Sequence, residues 1–365
     1  MKRHPNKKTA YIIHILRVLT KPQRRHAIIY LLGLIWMIKF RSINHIAKEF
    51  GNQDTDGLQH FLRHSTQASQ ATQEASGQYT AECIKDSEHV LLAIDDTPVE
   101  RHGKHIEGVG IHHSAQGLIK GLCAVTAIVM AGGKKLAWAI ESYYPKSCCP
   151  RDVFESKVTI AVGIIERARP LLKQPVTVLM DSWYACAPIL SKIIEAQWNF
   201  VGAIKQNRKV IVHGRVSHVC NLAKGPRDYI TIRLSAKRMM RVAKATVILP
   251  KVGVVALLIC KHGHHETRFF ISSLVKLSAR ELVKLYRQRF EIELFHRDIK
   301  QYLGFGEMFM RSHHCVQKHW TLVLVAYNAV TLVSAADSQS FRRNIDCFRR
   351  KVSLNDLQSL ARISV

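Results

Sequence analysis

The spacing of apolar and polar positions changes character several times along the chain. Residues 27–38 (AIIYLLGLIWMI) form an unbroken apolar run. Ile43, Ile46, Ala47 and Phe50 then recur at helical spacing, and Gly51 stops that helix. Residues 52–56 form a polar turn, with Asp56 a candidate N-cap. Leu58, Phe61 and Leu62 line one face of a second short helix over 57–64. Helix, polar turn, helix in a basic region reads either as a helix-turn-helix that docks on DNA or as two packed helices of an all-α domain. Residues 66–87 are polar and rich in Ala, Ser, Thr and Gln, an exposed helix or linker.

Beyond residue 88 strands and helices mix. Residues 89–94 (HVLLAI) predict a short apolar strand ending at Asp95-Asp96-Thr97. Residues 119–131 and 136–140 predict two strands joined at a Gly132-Gly133 hairpin turn. A helix follows over 153–168, then a buried strand over 176–180 (VTVLM) that also ends in an acid, Asp181. Residues 186–197 read as helix and 200–204 as strand. From 205 to 272 the text is strand-like, with runs at 209–213, 229–234, 245–249, 252–259 and 269–272. Residues 278–301 read as one long helix and 316–336 as another.

Charge adds a partner to this picture. The 365 residues include 54 Lys+Arg against 27 Asp+Glu, a formal net charge of +27, while 47% hydrophobic residues supply a core and exclude a disordered tail protein. Such an excess calls for a polyanion, nucleic acid first and an anionic membrane surface second. The apolar run at 27–38 has 12 residues and is followed by Lys39 and Arg41. About 20 residues are needed to cross a bilayer, so it reads as a buried helix. No small-residue cleavage site follows the basic start, and a cytoplasmic location without a membrane partner is expected. The excess is also local: residues 201–300 carry 21 Lys+Arg and 6 Asp+Glu. Residues 1–26 hold Lys2, Arg3, Lys7, Lys8, Arg17, Lys21, Arg24 and Arg25 and no acid, a solvated arm or short helix suited to phosphates. The tail, 337–365, carries Arg342, Arg343, Arg349, Arg350 and Lys351.

The nine cysteines show no paired framework and read as reduced thiols. Cys260, His262, His264 and His265 (CKHGHH) lack a second ligand pair at structural-zinc spacing and read as a polar hairpin turn. His112-His113 and His313-His314 read as surface or phosphate-contacting residues. Trp183 and Tyr184 read as packing that sets the rotamer of Asp181.

Acids at the ends of core strands are costly unless paired or bound to a cation. Asp95 or Asp96, together with Asp181 86 residues later, therefore suggests convergence on a hard divalent cation. Asp95 and Asp96 are strand neighbours whose side chains face opposite sides, so one of them points into the site. The long helix offers a third acid. Tyr286, Arg289, Glu293 and Lys300 fall within roughly 60° of arc on a continuous helix, and Ile292, Phe295 and Ile299 form a separate apolar face. The same stripe also reads as a solvated charged face.

The run YRQRFEIELFHRDIK resembles the Tyr-x2-Arg-x3-Glu-x6-Lys motif of a large group of DDE transposases from bacterial insertion sequences. IDDT resembles the first-strand D-x-[ST] motif of that family, and VLMDSWY its second Asp. KQYLGFGEMFMRS and DGLQHFLRH are similar to the same group, and the resemblance covers roughly 40–335. It implies an α/β fold with an RNase H-like mixed-sheet core and a β-rich insertion, preceded by a helical N-terminal domain. The expected segments are a helical DNA-binding domain at 1–85, core at 86–204, insertion at 205–272, core again at 273–336 and a basic tail at 337–365.

By position, the resemblance implies Asp95, Asp181 and Glu293 as ligands of two Mg²⁺ ions, with Mn²⁺ as a substitute and Asp96 as the alternative to Asp95. The D-x-[ST] register, read with Thr97, favours Asp95. Tyr286, Arg289 and Lys300 are implied to hold DNA phosphates. The implied activity is cleavage at the element's terminal repeats and joining of the 3′-OH to target DNA, by a homodimer when two double-stranded ends are synapsed. The competing readings are an RNase H-fold nuclease that cuts without joining, and a non-catalytic DNA-binding protein or degenerate element copy. Some relatives stack a flipped base on a Trp of the insertion. Residues 201–270 contain no Trp, which leaves Tyr229, Phe269 or Phe270 as substitutes, or a route that does without one.

Overall fold

The computed structural model describes residues 9–357 except 40, 65, 104, 115–116, 150–153, 226, 236–237, 263–265, 308–309, 335–339 and 354. Five helices open the chain: α1 (Ala10–Leu16), α2 (Lys21–Trp36), α3 (Ile43–Phe50), α4 (Thr55–His64) and α5 (Thr66–Cys83). Then follow β1 (Val90–Glu100), β2 (Gly110–Ser114), β3 (Gly117–Ala131), β4 (Lys134–Tyr143), α6 (Lys157–Ala168), β5 (Val176–Met180), α7 (Ala187–Glu195) and β6 (Asn199–Ile204). The basic stretch forms β7 (Lys209–Val212), β8 (Arg215–His218), α8 (Val219–Leu222), β9 (Ile230–Ser235), β10 (Arg238–Leu249), β11 (Gly253–His262) and β12 (Glu266–Ser272). The chain closes with α9 (Ala279–Arg287), α10 (Phe290–Tyr302), α11 (His313–Ser334) and α12 (Phe341–Lys351). The fold is mixed α/β, and its strands pair mostly antiparallel.

Two units divide the chain. One comprises residues 1–86, 96–160 and 293–365, the other residues 87–95 and 161–292. In the first, α2 buries nine consecutive residues, Ala27 to Ile35, as expected of a helical segment that is apolar all round. α11 is its second buried helix, with Trp320 stacked on Phe305 at 4.8 Å. α11 also satisfies the edge of β4. The Gln317 amide accepts from Ser142 N and donates to Ile140 O, and the Asn328 amide accepts from Ala137 N and donates to Ala137 O. Gln317 and Asn328 are about three helical turns apart, roughly 16 Å. Ala137 and Ser142 are separated by about the same length of extended chain. The two amides thus stand in for a neighbouring strand along an edge that would otherwise be open.

In the second unit Val90 to Ile94 of β1 pair parallel with Val176 to Met180 of β5, and β5 pairs parallel with β6. β12 runs antiparallel to β6, followed by β11 and β10. β10 is flanked on its other side by β9 near its start and by β7 near its end, and β8 pairs with β7. α9 begins with a reciprocal cap, in which Ser278 accepts from Glu281 N and Glu281 accepts from Ser278 N. It buries Ala279, Leu282 and Val283.

Several expectations hold at the level of elements. The strand at 176–180 lies where its apolar run placed it, and Gly132 and Gly133 adopt φ of 55° and 72° in the β3–β4 hairpin. Gly51 ends α3. Others need correction. The stretch 278–301 is two helices, because Gln288 and Arg289 form a tightened turn in which Gln288 N returns to Leu285 O and Arg289 N to Tyr286 O. β1 does not end at the acids but runs on to Glu100. Asp54, not Asp56, caps α4, accepting from Gly57 N at 2.9 Å. Of the two readings of the basic N-terminal stretch, the short helix and not the solvated arm holds over residues 10–16, where α1 buries Tyr11, Ile12, Ile15 and Leu16. Lys2, Arg3, Lys7, Lys8, His264 and His265 lie outside the described residues.

Candidate active site

Ile94 and Met180 are the last registered pair of the parallel strands β1 and β5. Asp95 and Asp181 are the next residues of each strand. Asp95, within β1, and Asp181, just beyond β5, lie where the parallel pairing of the two strands stops, on the side where open α/β sheets place their ligands. Arg289 Nη1 donates to Asp95 Oδ2 at 2.8 Å, and both side chains are 16% exposed. The Tyr286 ring packs on Phe270 at 4.4 Å, and the Arg289 guanidinium lies 5.9 Å from it. Burial pushes the Tyr286 phenol above its ordinary value, and the charges of Asp181 and Asp95 push it the same way. Four of the residues singled out from the sequence (Asp95, Asp181, Tyr286 and Arg289) are therefore gathered in the second unit.

Asp181 is aimed by its own turn. Trp183 N and Tyr184 N donate to its Oδ1 at 2.9 and 3.1 Å, and Ala185 N returns to Asp181 O. This Asx-type turn fixes the carboxylate and leads into α7. Tyr184 is buried as expected, but Trp183 is 54% exposed, with Lys205 Nζ 5.1 Å from its ring centre. Backbone amides, rather than aromatic packing, set the Asp181 rotamer.

Trp183 borders a cavity of about 630 Å³ with Lys205, Arg208, Lys209, Pro250 and Lys251 on its walls. Four cations and no acid line it. The sequence showed that this block was basic, but not that cations from two separate segments, 205–209 and 251, meet beside Ser182 and Trp183.

Asp96 has different company, in the first unit. Lys157 Nζ donates to its Oδ2 at 2.6 Å, and the Cys123 thiol donates to the same oxygen at 3.3 Å. Glu293 and Lys300 also belong to the first unit. Lys300 Nζ donates to Pro98 O at 2.8 Å, and His296 Nε2 bonds Thr126 Oγ1 at 2.7 Å. Ile292, Phe295 and Ile299 are fully buried, so the apolar face of α10 is docked as its pattern predicted. Glu293 stands one turn before His296 and two before Lys300, on the same stripe of α10.

His113 is exposed, as the surface reading has it, but its neighbour His112 and the pair His313-His314 are not. His112 is 4% exposed and bonds Gly121 O, and burial lowers the pKa of His313 to about 4. At neutral pH His313 is uncharged and poorly suited to phosphate. Phe269 and Phe270 are buried, while the Tyr229 ring carries Arg241 at 5.0 Å and Lys261 at 4.8 Å.

Two aspartates just past the last pair of adjacent parallel strands suit a hard divalent cation. Mg²⁺ in particular is commonly held by one or two carboxylates, with water and substrate phosphate completing its shell. Among the described residues no three His, Cys, Asp or Glu side chains form a group that could hold a metal unaided. The donors present fit a cation that shares its coordination with phosphate. Among the described residues no helix is long and apolar enough to cross a membrane.

A family model described as DDE superfamily endonuclease matches residues 14–227. A second, described as Archaeal putative transposase ISC1217, matches residues 146–338. No curated protein matches the chain. Each family model spans more than half of the 365 residues, and together they take in both strand-end acids and the Tyr-Arg-Glu-Lys stretch. The chain belongs to the DDE superfamily of endonucleases and transposases.

Proposed function

We propose that this chain is a DDE transposase of an insertion sequence, of the group marked by Tyr-x2-Arg-x3-Glu-x6-Lys. It binds double-stranded DNA at the terminal inverted repeats, cleaves at the element ends and joins the 3′-OH to target DNA, as a homodimer that synapses two ends. The observation that carries the reading is that Asp95 and Asp181 both follow the last pair of the parallel strands β1 and β5, with Arg289 and Tyr286 packed beside them. RNase H-like topology for the core, an insertion at 205–272, and DNA reading by α3 and α4 belong to the same proposal.

Asp95, Asp181 and Glu293 are the proposed ligands of two Mg²⁺ ions. When bound, such ions supply an activated water and stabilise the charge that develops at a phosphodiester. The chain's own part is positioning. Asp181 is pre-aimed by two amides, so no rotamer has to be ordered at the moment of reaction. Arg289, Tyr286 and Lys300 hold phosphate oxygens, and the guanidinium that neutralises Asp95 here offers further donors to a phosphate. Both carboxylates are ion-paired, and Asp95 is preferred to Asp96 because it lies in the same unit as Asp181, beside Arg289 and Tyr286.

The test is a Mg²⁺-dependent assay with terminal-repeat DNA that scores cutting and joining separately. Cutting and joining by the wild type, both lost in Glu293→Gln, is the expected outcome. Cutting without joining makes the chain a nuclease. A Glu293→Gln protein as active as wild type removes Glu293 from the site.

A further inference from the structure

The basic block carries a feature apart from the acids and the cavity. Arg241 on β10 and Lys261 on β11 are directly opposed in register. On one side Arg241 faces Thr231 of β9, and on the other Lys261 faces Thr267 of β12. The row across four strands therefore reads Thr231, Arg241, Lys261, Thr267. Like charges placed directly opposite one another destabilise a sheet. Among the described residues neither cation forms an ion pair. Both instead lie over the Tyr229 ring, 5.0 and 4.8 Å from its centre. Among the described residues the buried Tyr229 hydroxyl has no hydrogen-bond partner, and the contact this position makes with the two cations is through its ring.

An aromatic ring under two opposed cations, flanked by two hydroxyl donors, has the chemistry of an anion site. We propose that this row binds the phosphate backbone of duplex DNA, as a second grip away from the cut. The proposal rests on the reading of the chain as a DNA-acting enzyme. Its position follows from strand geometry. Pro250, on the wall of the Trp183 cavity, is nine residues beyond Arg241 along β10 and its turn. Nine extended residues span at most roughly 30 Å, or about nine base pairs of B-DNA. The row would therefore touch the duplex within about one helical turn of the cavity.

Binding of the full chain to a fluorescent duplex, titrated in chelator at several salt concentrations, tests this without any catalytic step. The wild type should show a steep fall of affinity with salt. Each lost phosphate contact lowers the slope of log K against log salt by about 0.9. Arg241→Gln with Lys261→Gln should thus lose about 1.8, and Lys261→Gln alone about 0.9 should the double variant fold poorly. The charge-preserving swap, Arg241→Lys with Lys261→Arg, should keep the wild-type slope. Tyr229→Phe should keep it too, and Tyr229→Ala should not. A wild-type slope in both Gln variants overturns the site, as does an equal loss in the charge-preserving swap. A flat slope in the wild type sinks the DNA reading itself, a separate failure.

Discussion

Arg289 and Asp95, 194 residues apart in sequence, are joined by a hydrogen-bonded ion pair of 2.8 Å. The cation comes from the turn between α9 and α10, and the acid from the point where β1 leaves β5. Arg289→Ala should destabilise the fold by about 1–3 kcal/mol, the cost of stripping a largely buried charge of its partner, and should also lower DNA cleavage. Arg289→Lys should recover stability better than activity, since ammonium lacks the planar fork that suits phosphate oxygens. Thermal melting alongside cleavage measures both. An Arg289→Ala protein that melts with the wild type would show that the pair contributes nothing to folding.

Asp95 and Asp96 should separate under substitution. Asp95→Asn is expected to abolish cleavage while retaining DNA binding. Asp96→Asn leaves Lys157 without its carboxylate, so it should cost about 1–3 kcal/mol of stability yet keep measurable cleavage. Melting curves and a Mg²⁺ cleavage assay on the two variants decide the matter. The opposite pattern would exchange their roles.

Trp183 is mostly exposed, so Trp183→Ala should leave stability within about 0.5 kcal/mol of wild type. The ring borders a cavity walled by Lys205, Arg208, Lys209 and Lys251, which fits a base set against the ring and a backbone held by the cations. Loss of one such stack should weaken binding to DNA with an unpaired end by about tenfold. Blunt duplex should be affected less. Equal binding of unpaired-end DNA by wild type and Trp183→Ala argues against contact.

Acid should unfold the protein in a defined window. His319 is fully buried: its Nε2–H donates to Gly304 O and its Nδ1 accepts from Tyr30 Oη. Burial lowers its pKa to about 4, as it does for His313. Between about 6.5 and 4 the unfolded chain binds protons that the folded chain refuses. Stability should therefore be whole above pH 6.5, fall as pH drops through this window, and level off below about 4. His319→Gln should make the fall shallower by about one proton. Urea midpoints at pH 7, 5.5 and 4.5 check both slopes.

Much of the fold was legible because its signals are local. The VTVLM strand, the Gly-Gly hairpin and the Gly51 stop each depend on a few adjacent residues, and each appears where the sequence puts it. The break at Gln288 and Arg289 was not legible. YRQRFEIE contains only residues that tolerate a helix, with neither Gly nor Pro to mark a turn. The interruption shows only in the tightened bonds to Leu285 O and Tyr286 O. For the site, acids ending apolar runs were a strong signal because unpaired carboxylates are costly there. The exposure of Trp183 was hidden, since a turn has no period from which to read a face. The basic cavity was hidden too, because its walls come from residues 182–187, 204–209 and 250–251, brought together only by β5, β6 and β10.

The amides that hold Asp181 bear on how the site can vary over evolutionary time. Every residue except proline carries a main-chain N–H. Positions 183 and 184 can therefore change their side chains without losing the two bonds that aim the carboxylate. The aiming device is indifferent to the identity of the residues that supply it. Position 183 is thus open to drift while the aim of the Asp181 carboxylate is inherited intact. Proline at either position is the substitution this freedom does not include.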